Sequence, residues 1–179
     1  MAAESGEVGV EGSSASGFDD FSRFWRAEYS AVVRLTLALT GRRDVAEELA
    51  QDAFVAAYRR WPLVSAYDQP GAWVRRVATN AAVSALRRRS VELKGLARLS
   101  RQRWQAVEIP EEDQQLWAAL RELPKRQAQV LALVVVDDLS VAEVARVLEV
   151  GEETVRTHLR RGRAALAERL GLAAEGEGQ

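Results

Sequence analysis

The segment from Leu139 to Arg163, LSVAEVARVLEVGEETVRTHLRRGR, restricts the fold more than any other part of the chain. Ser140 and Glu143 stand three residues apart at the head of an apolar run. This is the pattern of a capping box, in which a hydroxyl and a carboxylate each satisfy an orphan amide at a helix start. Val141, Val144, Ala145 and Leu148 then recur at helical spacing and predict one buried face. Glu149, Val150 and Gly151 form a break, with Gly151 able to take backbone angles that a branched residue avoids. Beyond it, Val155, Leu159 and Leu166 share a face and leave Arg156, Thr157, Arg160, Arg161 and Arg163 on the other surfaces. Two helices joined by so short a turn, the second rich in arginine, predict a helix-turn-helix that reads the DNA major groove. An arginine run alone is ordinarily a solvated helix face; with cap, turn and two apolar faces in register, DNA binding is the stronger reading. Two departures stand out. Gly151 occupies a capping position where Ser or Pro is commoner, and Glu152 with Glu153 brings negative charge to the helix end expected to approach phosphates.

Breakers and periodicity divide the rest. Residues 1–17, rich in Gly, Ser, Ala and Glu, show no apolar period and are expected to be disordered. Phe21, Trp25, Tyr29, Val32, Val33 and Leu37 predict a helix that stops at Thr40 and Gly41. Asp44 is expected to cap the next, whose apolar positions Val45, Leu49, Ala53, Phe54, Ala57 and Trp61 run to Pro62. A loop over 63–69 leads to Pro70, which fits the first turn of a third helix. That helix turns Trp73, Val77, Ala81 and Leu86 inward and leaves Arg75, Arg76, Thr79, Asn80, Ser84, Arg87 and Arg88 on the polar side. The predicted fold class is therefore all-α: two small helical bundles joined by a flexible linker, the C-terminal one containing the helix-turn-helix. The expected units are a tail over 1–17, a first bundle over 18–90, a linker over 91–113, a second bundle over 114–171 and a tail over 172–179. Val130 to Val136 alone could pass for a strand, but the Pro124 start and its helical neighbours favour helix.

Charge and composition narrow the function. Between Gly71 and Arg103 nine basic residues face one acidic residue, so the middle of the chain suits a polyanion, whereas the first twenty residues carry five acidic residues and no basic one. With no cysteine and a single histidine, thiolate metal sites, disulfides and imidazole clusters are excluded, and no metal or cofactor is expected. No glycine loop ends in Lys-Ser or Lys-Thr, so nucleotide hydrolysis lacks its phosphate cradle. No apolar run long enough to span a bilayer and no signal-peptide pattern is present; no membrane insertion is expected, and the expected location is cytoplasmic. An enzyme is the least expected class.

Taken together, DVAEELAQDAFVAAYRRW, then AWVRRVATNAAVSALRRR, then ALRELPKRQAQVLALVVVDDLSVAEVARVLEVGEETVRTHLRRGR closely resemble an extracytoplasmic-function sigma factor of bacterial RNA polymerase, over about Phe21 to Leu170. The resemblance implies a protein without catalytic residues that binds core polymerase and directs promoter recognition, melting and initiation. It implies that Glu48, Gln51, Asp52 and Arg59 dock on the clamp helices of the largest polymerase subunit, the second bundle meeting the flap. Ser65, Tyr67 and Asp68 match the loop that takes a flipped base of the minus-ten element, and Arg76, Asn80, Arg87 and Arg88 the helix beside the melted strand, with Arg89 continuing the phosphate-binding run. Thr154, Arg156, Thr157, His158, Arg160 and Arg161 fall where the minus-thirty-five duplex is read. An anti-sigma partner is expected. Ser84 stands where an Asp is common in that family. The linker, with its acidic run Glu108 to Asp113, is implied to lie near the path of nascent RNA. Two rival classes remain: a stand-alone helix-turn-helix regulator acting as a dimer on a palindrome, and a helical adaptor without DNA function.

Overall fold

The computed structural model describes residues 11–95 and 111–172, and among them every regular element is helical. In chain order these are α1 (Glu11–Thr40), α2 (Arg43–Tyr58), α3 (Trp61–Val64), α4 (Pro70–Gly95), α5 (Glu111–Arg121), α6 (Lys125–Val136), α7 (Val141–Leu148) and α8 (Glu152–Arg169).

The first bundle is α1 to α4. Val32, Ala50, Ala53, Phe54, Ala57, Val74 and Ala78 fill its interior, with Phe21, Phe24, Tyr29, Trp73 and Val77 packed around them. Small alanines on α2 let the helices approach closely, and the space at the open end is taken by rings: Phe21 meets Trp61 edge-on at 5.2 Å between centroids, and Phe24 lies 5.0 Å from the same indole. Thr36 is fully buried inside this packing, and its hydroxyl lies 3.0 Å from both the Val32 and Ala46 carbonyls, which keeps a buried polar atom satisfied. Helix α1 ends at Gly41, whose φ of 68° is the left-handed turn that a side chain resists.

Several expected boundaries move. Helix α1 begins at Glu11 rather than after residue 17, because a helix nucleated on the packed aromatic face propagates through Ala, Ser and Glu at little cost; residues 1–10 lie outside the described part. Asp44 does not cap α2. Arg42 holds the cap position without a side-chain bond, and Asp44 sits in the first turn paired with the Arg42 guanidinium. Pro62 does not stop the second helix either: the chain leaves α2 at Tyr58, and Pro62 opens the short α3, where a missing amide costs nothing. Helix α4 runs on to Gly95 and α5 starts at Glu111, so helix enters the expected linker from both ends; residues 96–110 and the tail beyond 172 lie outside the described part. The stretch 130–136 is helical, as its context favoured. On α4 the fully buried positions are Val74, Ala78, Thr79, Ala82 and Val83, whereas Trp73, Val77, Ala81 and Leu86 are half-buried.

The second bundle is α5 to α8, and its capping box forms as the sequence predicts. The Ser140 hydroxyl oxygen accepts from the Glu143 amide, and the Ser140 amide donates to the Glu143 carboxylate at 2.8 Å. The turn differs in its detail. Glu149 carries the left-handed backbone, with φ 52°, while Gly151 is the N-cap of α8 in an extended conformation at φ −69°. The glycine that matters is Gly162, buried where α8 crosses α6 against Leu131.

The two bundles are not separate. Leu35 and Leu39 of α1 and Ala82 and Val83 of α4 join Leu120, Leu131, Leu133, Val144 and Leu148 in one continuous apolar core, so α5, α6 and α7 close over the first bundle.

Candidate nucleic-acid interface

Helix α2 buries Ala46, Ala50, Ala53, Phe54 and Ala57, which turns the opposite face outward. Glu48, Gln51 and Asp52 lie there exposed, and Arg59, at the C-cap, continues the strip. Val55 and Tyr58 are 46% and 50% exposed on the same strip. The periodicity does not single them out as functional, although it carries the signal: Val55 falls three and four residues after Asp52 and Gln51, on the polar side of the helix.

Ser65, Tyr67 and Asp68 are exposed on the loop between α3 and α4, and Arg87 and Arg88 are exposed near the far end of α4. The side chain of Arg89 lies outside the described part. Arg76 and Asn80 are not available in the same way. Both are half-buried in the seam between bundles: Arg76 pairs with Glu149 at the end of α7, and the Asn80 side-chain oxygen accepts a 3.0 Å bond from the Gln129 amide. Gln129 is fully buried in α6, and its own oxygen accepts from Arg126 at 3.2 Å. The expectation of an open polar face at Arg76 and Asn80 is thus corrected. Periodicity marks the face as polar; it does not show that the second bundle lands on it with polar partners.

Beside them sits an ion-pair cluster that sequence placed only on a polar side. Arg75 donates to Glu28 of α1 at 2.7 Å and to Asp137, just after α6, at 2.8 Å. The Asp137 side chain is 1% exposed and that of Arg75 16%. Burial pushes the Asp137 carboxyl above the ordinary carboxylate range despite the Arg75 guanidinium, whereas Arg75, though also desolvated, is held above its usual value by Glu28 and Asp137. The second Asp137 oxygen, Oδ1, is buried without a hydrogen-bond partner.

On α8, Thr154, Arg156, Arg160 and Arg161 are exposed along the outer face, while Thr157 and His158 are half-buried. Nδ1 of His158 is enclosed without a partner, so this ring lies partly under the helix rather than out on its reading face. Glu152 pairs with Arg156 at 2.6 Å, and Glu153 lies 3.7 Å from the same guanidinium. The two first-turn carboxylates therefore sit beside an arginine one turn on, where they also suit the positive end of the helix dipole.

Among the described residues no group of three or more His, Cys, Asp or Glu is placed to hold a metal ion, and no helix is long and apolar enough to cross a membrane.

Two family models match the chain in order: sigma-70 region 2 over residues 24–91 and sigma-70, region 4 over 113–166. The chain is 26% identical over 155 residues to the ECF RNA polymerase sigma factor SigW of Bacillus subtilis, covering 78% of this chain and 82% of that protein. It is 30% identical over 161 residues to the ECF RNA polymerase sigma factor SigE of Mycolicibacterium smegmatis, covering 81% of this chain and 59% of that protein. Among solved structures, the sigma factor RpoE in complex with the anti-sigma factor NepR from Bartonella quintana superposes with a TM-score of 0.65 at 20% identity, over 86% of this chain and 98% of that one. The structure of CnrH in complex with the cytosolic domain of CnrY gives 0.62 at 21% identity, over 89% and 94%. At these identities the two structures speak for the fold alone.

Proposed function

Because the chain belongs to the sigma-70 family, and within it to the extracytoplasmic-function sigma factors, we propose that its two bundles divide promoter recognition between them while α2 docks the polymerase. The observation that carries this reading is the ordered pair of region 2 and region 4, each ending in an exposed basic helix face. The chain directs transcription initiation, and its own part in that process is binding, with no chemical step performed by its side chains. Residues 18–90 serve as the minus-ten unit, 91–113 as the connection and 114–171 as the minus-thirty-five unit.

On α2, Glu48, Gln51, Asp52 and Arg59 meet the clamp helices of the largest subunit, with Val55 and Tyr58 adding apolar area to a patch otherwise held by charge. Carboxylates fit a basic partner, and charge complementarity sets encounter rate and register more than affinity. Ser65, Tyr67 and Asp68 form the loop beside a flipped base. Tyr67, 42% exposed, offers a ring for stacking, an interaction worth about 1–3 kcal/mol per base. Arg76 and Asn80 act on the melted strand once exposed, and Arg87 and Arg88 hold phosphates, which adds salt-sensitive affinity without sequence choice.

In α8, Thr154, Arg156, Arg160 and Arg161 enter the major groove, where a bidentate arginine–guanine pair discriminates by about 1–3 kcal/mol. Thr157 and His158 support the helix on its backbone side. Binding free energy drives melting, since the chain offers no phosphate cradle for hydrolysis. The partners are core polymerase with its clamp helices and flap, promoter DNA and an anti-sigma factor, the last supported by the complexes in which both structural relatives were solved. The protein works in the cytoplasm, where polymerase and DNA are.

Run-off transcription with core polymerase tests the reading. Added chain should confer promoter-dependent initiation on core enzyme that lacks it. A chain that binds duplex DNA as a dimer and leaves core enzyme silent would instead be a stand-alone regulator.

A further inference from the structure

The seam between the bundles holds polar bonds that reach across the sequence. Arg75 bonds Asp137 across 62 residues and Glu28 across 47. Asn80 bonds Gln129 across 49 residues, and Arg76 pairs with Glu149. Three of these join the first bundle to the second; the other, Arg75 to Glu28, ties α4 to α1 and fixes the guanidinium that Asp137 receives. The cluster is tightly seated. A Cβ added at Gly71 would stand 2.6 Å from Arg75 Nη1 and 2.9 Å from Glu28 Oε1, so the bare backbone at the start of α4 makes room for the pair. Around these bonds Leu35, Leu39, Ala82 and Val83 are covered by the second bundle.

We propose that these bonds form a latch by which the free chain closes on itself, with Arg75 and Asp137 at its centre and the strand-facing residues Arg76 and Asn80 shut inside. The proposal rests on the reading of Arg76 and Asn80 as minus-ten residues. An Asn whose acceptor already holds a buried glutamine amide offers that oxygen to no base, and an arginine paired with Glu149 gives up that pair before it can take a phosphate.

Two features make the closure releasable. The orphaned Oδ1 of Asp137 is a buried acceptor left unmade, a standing penalty on the closed arrangement that vanishes when water reaches it. The Arg76 pair involves an exposed Glu149, 69% accessible at its side chain, so it opens at little electrostatic cost. A partner that binds the open arrangement, as a polymerase holding the two bundles apart would, shifts this equilibrium by its differential affinity for the two states.

The chain has no cysteine, so two introduced thiols report distance without background. Ser30→Cys on α1 and Glu168→Cys on α8, both at exposed positions, carry a donor and an acceptor dye for single-molecule energy transfer on the full chain. The labelled chain should show one high-efficiency population. With Asp137→Ala added, a low-efficiency population should grow, and affinity for a fluorescein-labelled oligodeoxythymidine strand should rise about tenfold, as expected when a competent state populated at about 10% becomes dominant. Far-UV circular dichroism confirms that both bundles keep their helices. A broad or low-efficiency distribution in the chain without Asp137→Ala overturns the latch whether or not that variant folds. So does a folded Asp137→Ala variant whose distribution is unchanged. Opening without any gain in strand affinity supports the latch and refutes the assignment of Arg76 and Asn80 to the melted strand.

Discussion

Gly162→Ala is the substitution whose outcome the packing decides most sharply. On an open helix it would add about 1 kcal/mol of stability through backbone propensity alone. Here the new methyl would stand 2.7 Å from Leu131 Cδ1, 3.2 Å from its Cγ and 3.4 Å from Gln127 Cβ. Leu131 is itself 2% exposed, so its side chain has little space into which to turn. Overfilling a packed interior costs about 1–3 kcal/mol. Subtracting the propensity gain leaves a net loss of about 1 kcal/mol and at most about 2, which for a chain of this size lowers Tm by about 2–8 °C. Leu131→Ala alone should cost about 2–5 kcal/mol through the space it leaves. The double variant should lose less than the two singles together by at least about 1 kcal/mol, because the alanine methyl moves into part of that space. Urea unfolding followed by circular dichroism measures all three. A rise in Tm for Gly162→Ala, or singles that add to within about 0.5 kcal/mol, would show that α8 shifts freely on α6 and that the close approach has no consequence.

Exchanging Gln51 and Asp52 together for arginine should weaken capture of core polymerase at least tenfold while leaving the helical signal intact, because both side chains are exposed; an unchanged pull-down sinks the α2 assignment. Arg87→Ala with Arg88→Ala should flatten the salt dependence of promoter opening by roughly 0.7 to 0.9 for each phosphate no longer neutralised, measured across a salt series with the full polymerase, and an identical slope would leave these arginines as a solvated helix end. Arg160→Ala should lower affinity for minus-thirty-five duplex by about 1–3 kcal/mol if the arginine pairs bidentately with a base, read by fluorescence anisotropy, with single-strand binding as the internal control; full duplex affinity in the variant would remove Arg160 from the reading face. Hydrogen bonds from the Ser140 side chain and backbone hold the Glu143 carboxyl below its ordinary 4.5, so its stabilising contribution is present above that value and lost as pH falls through the lowered one; the acid limb of Tm against pH should be shallower in Ser140→Ala, and an identical limb would deny the capping box any role.

The helices that carry function were legible where local chemistry decides them. The cap at Ser140 and Glu143, the restart at Pro124 and the entry at Pro70 are signals that need no tertiary partner. Boundaries set by competition were not: no local preference is strong enough to say that α1 continues back to Glu11, or that Glu149 and not Gly151 takes the left-handed turn. Exposed candidates such as Gln51, Tyr67 and Arg160 could be found because they interrupt an apolar period. Arg75 could not be told from Arg76 or Arg88 by type or spacing, since what distinguishes it is the arrival of Asp137 from 62 residues away. Non-local electrostatics leaves no mark on a helical repeat.

The shared core also has an order in time. During translation the first bundle emerges with Leu35, Leu39, Ala82 and Val83 in place, before Leu131 and Leu133, which cover them, have been synthesised. At about 5–20 residues per second, the roughly 50 residues that follow Val83 take about 3–10 s to appear, and for that interval the ribosome carries a folded bundle with a bare apolar flank. A nascent chain in that state is a substrate for ribosome-associated chaperones, and an N-terminal fragment ending near Gly95 would keep the flank uncovered for its whole lifetime.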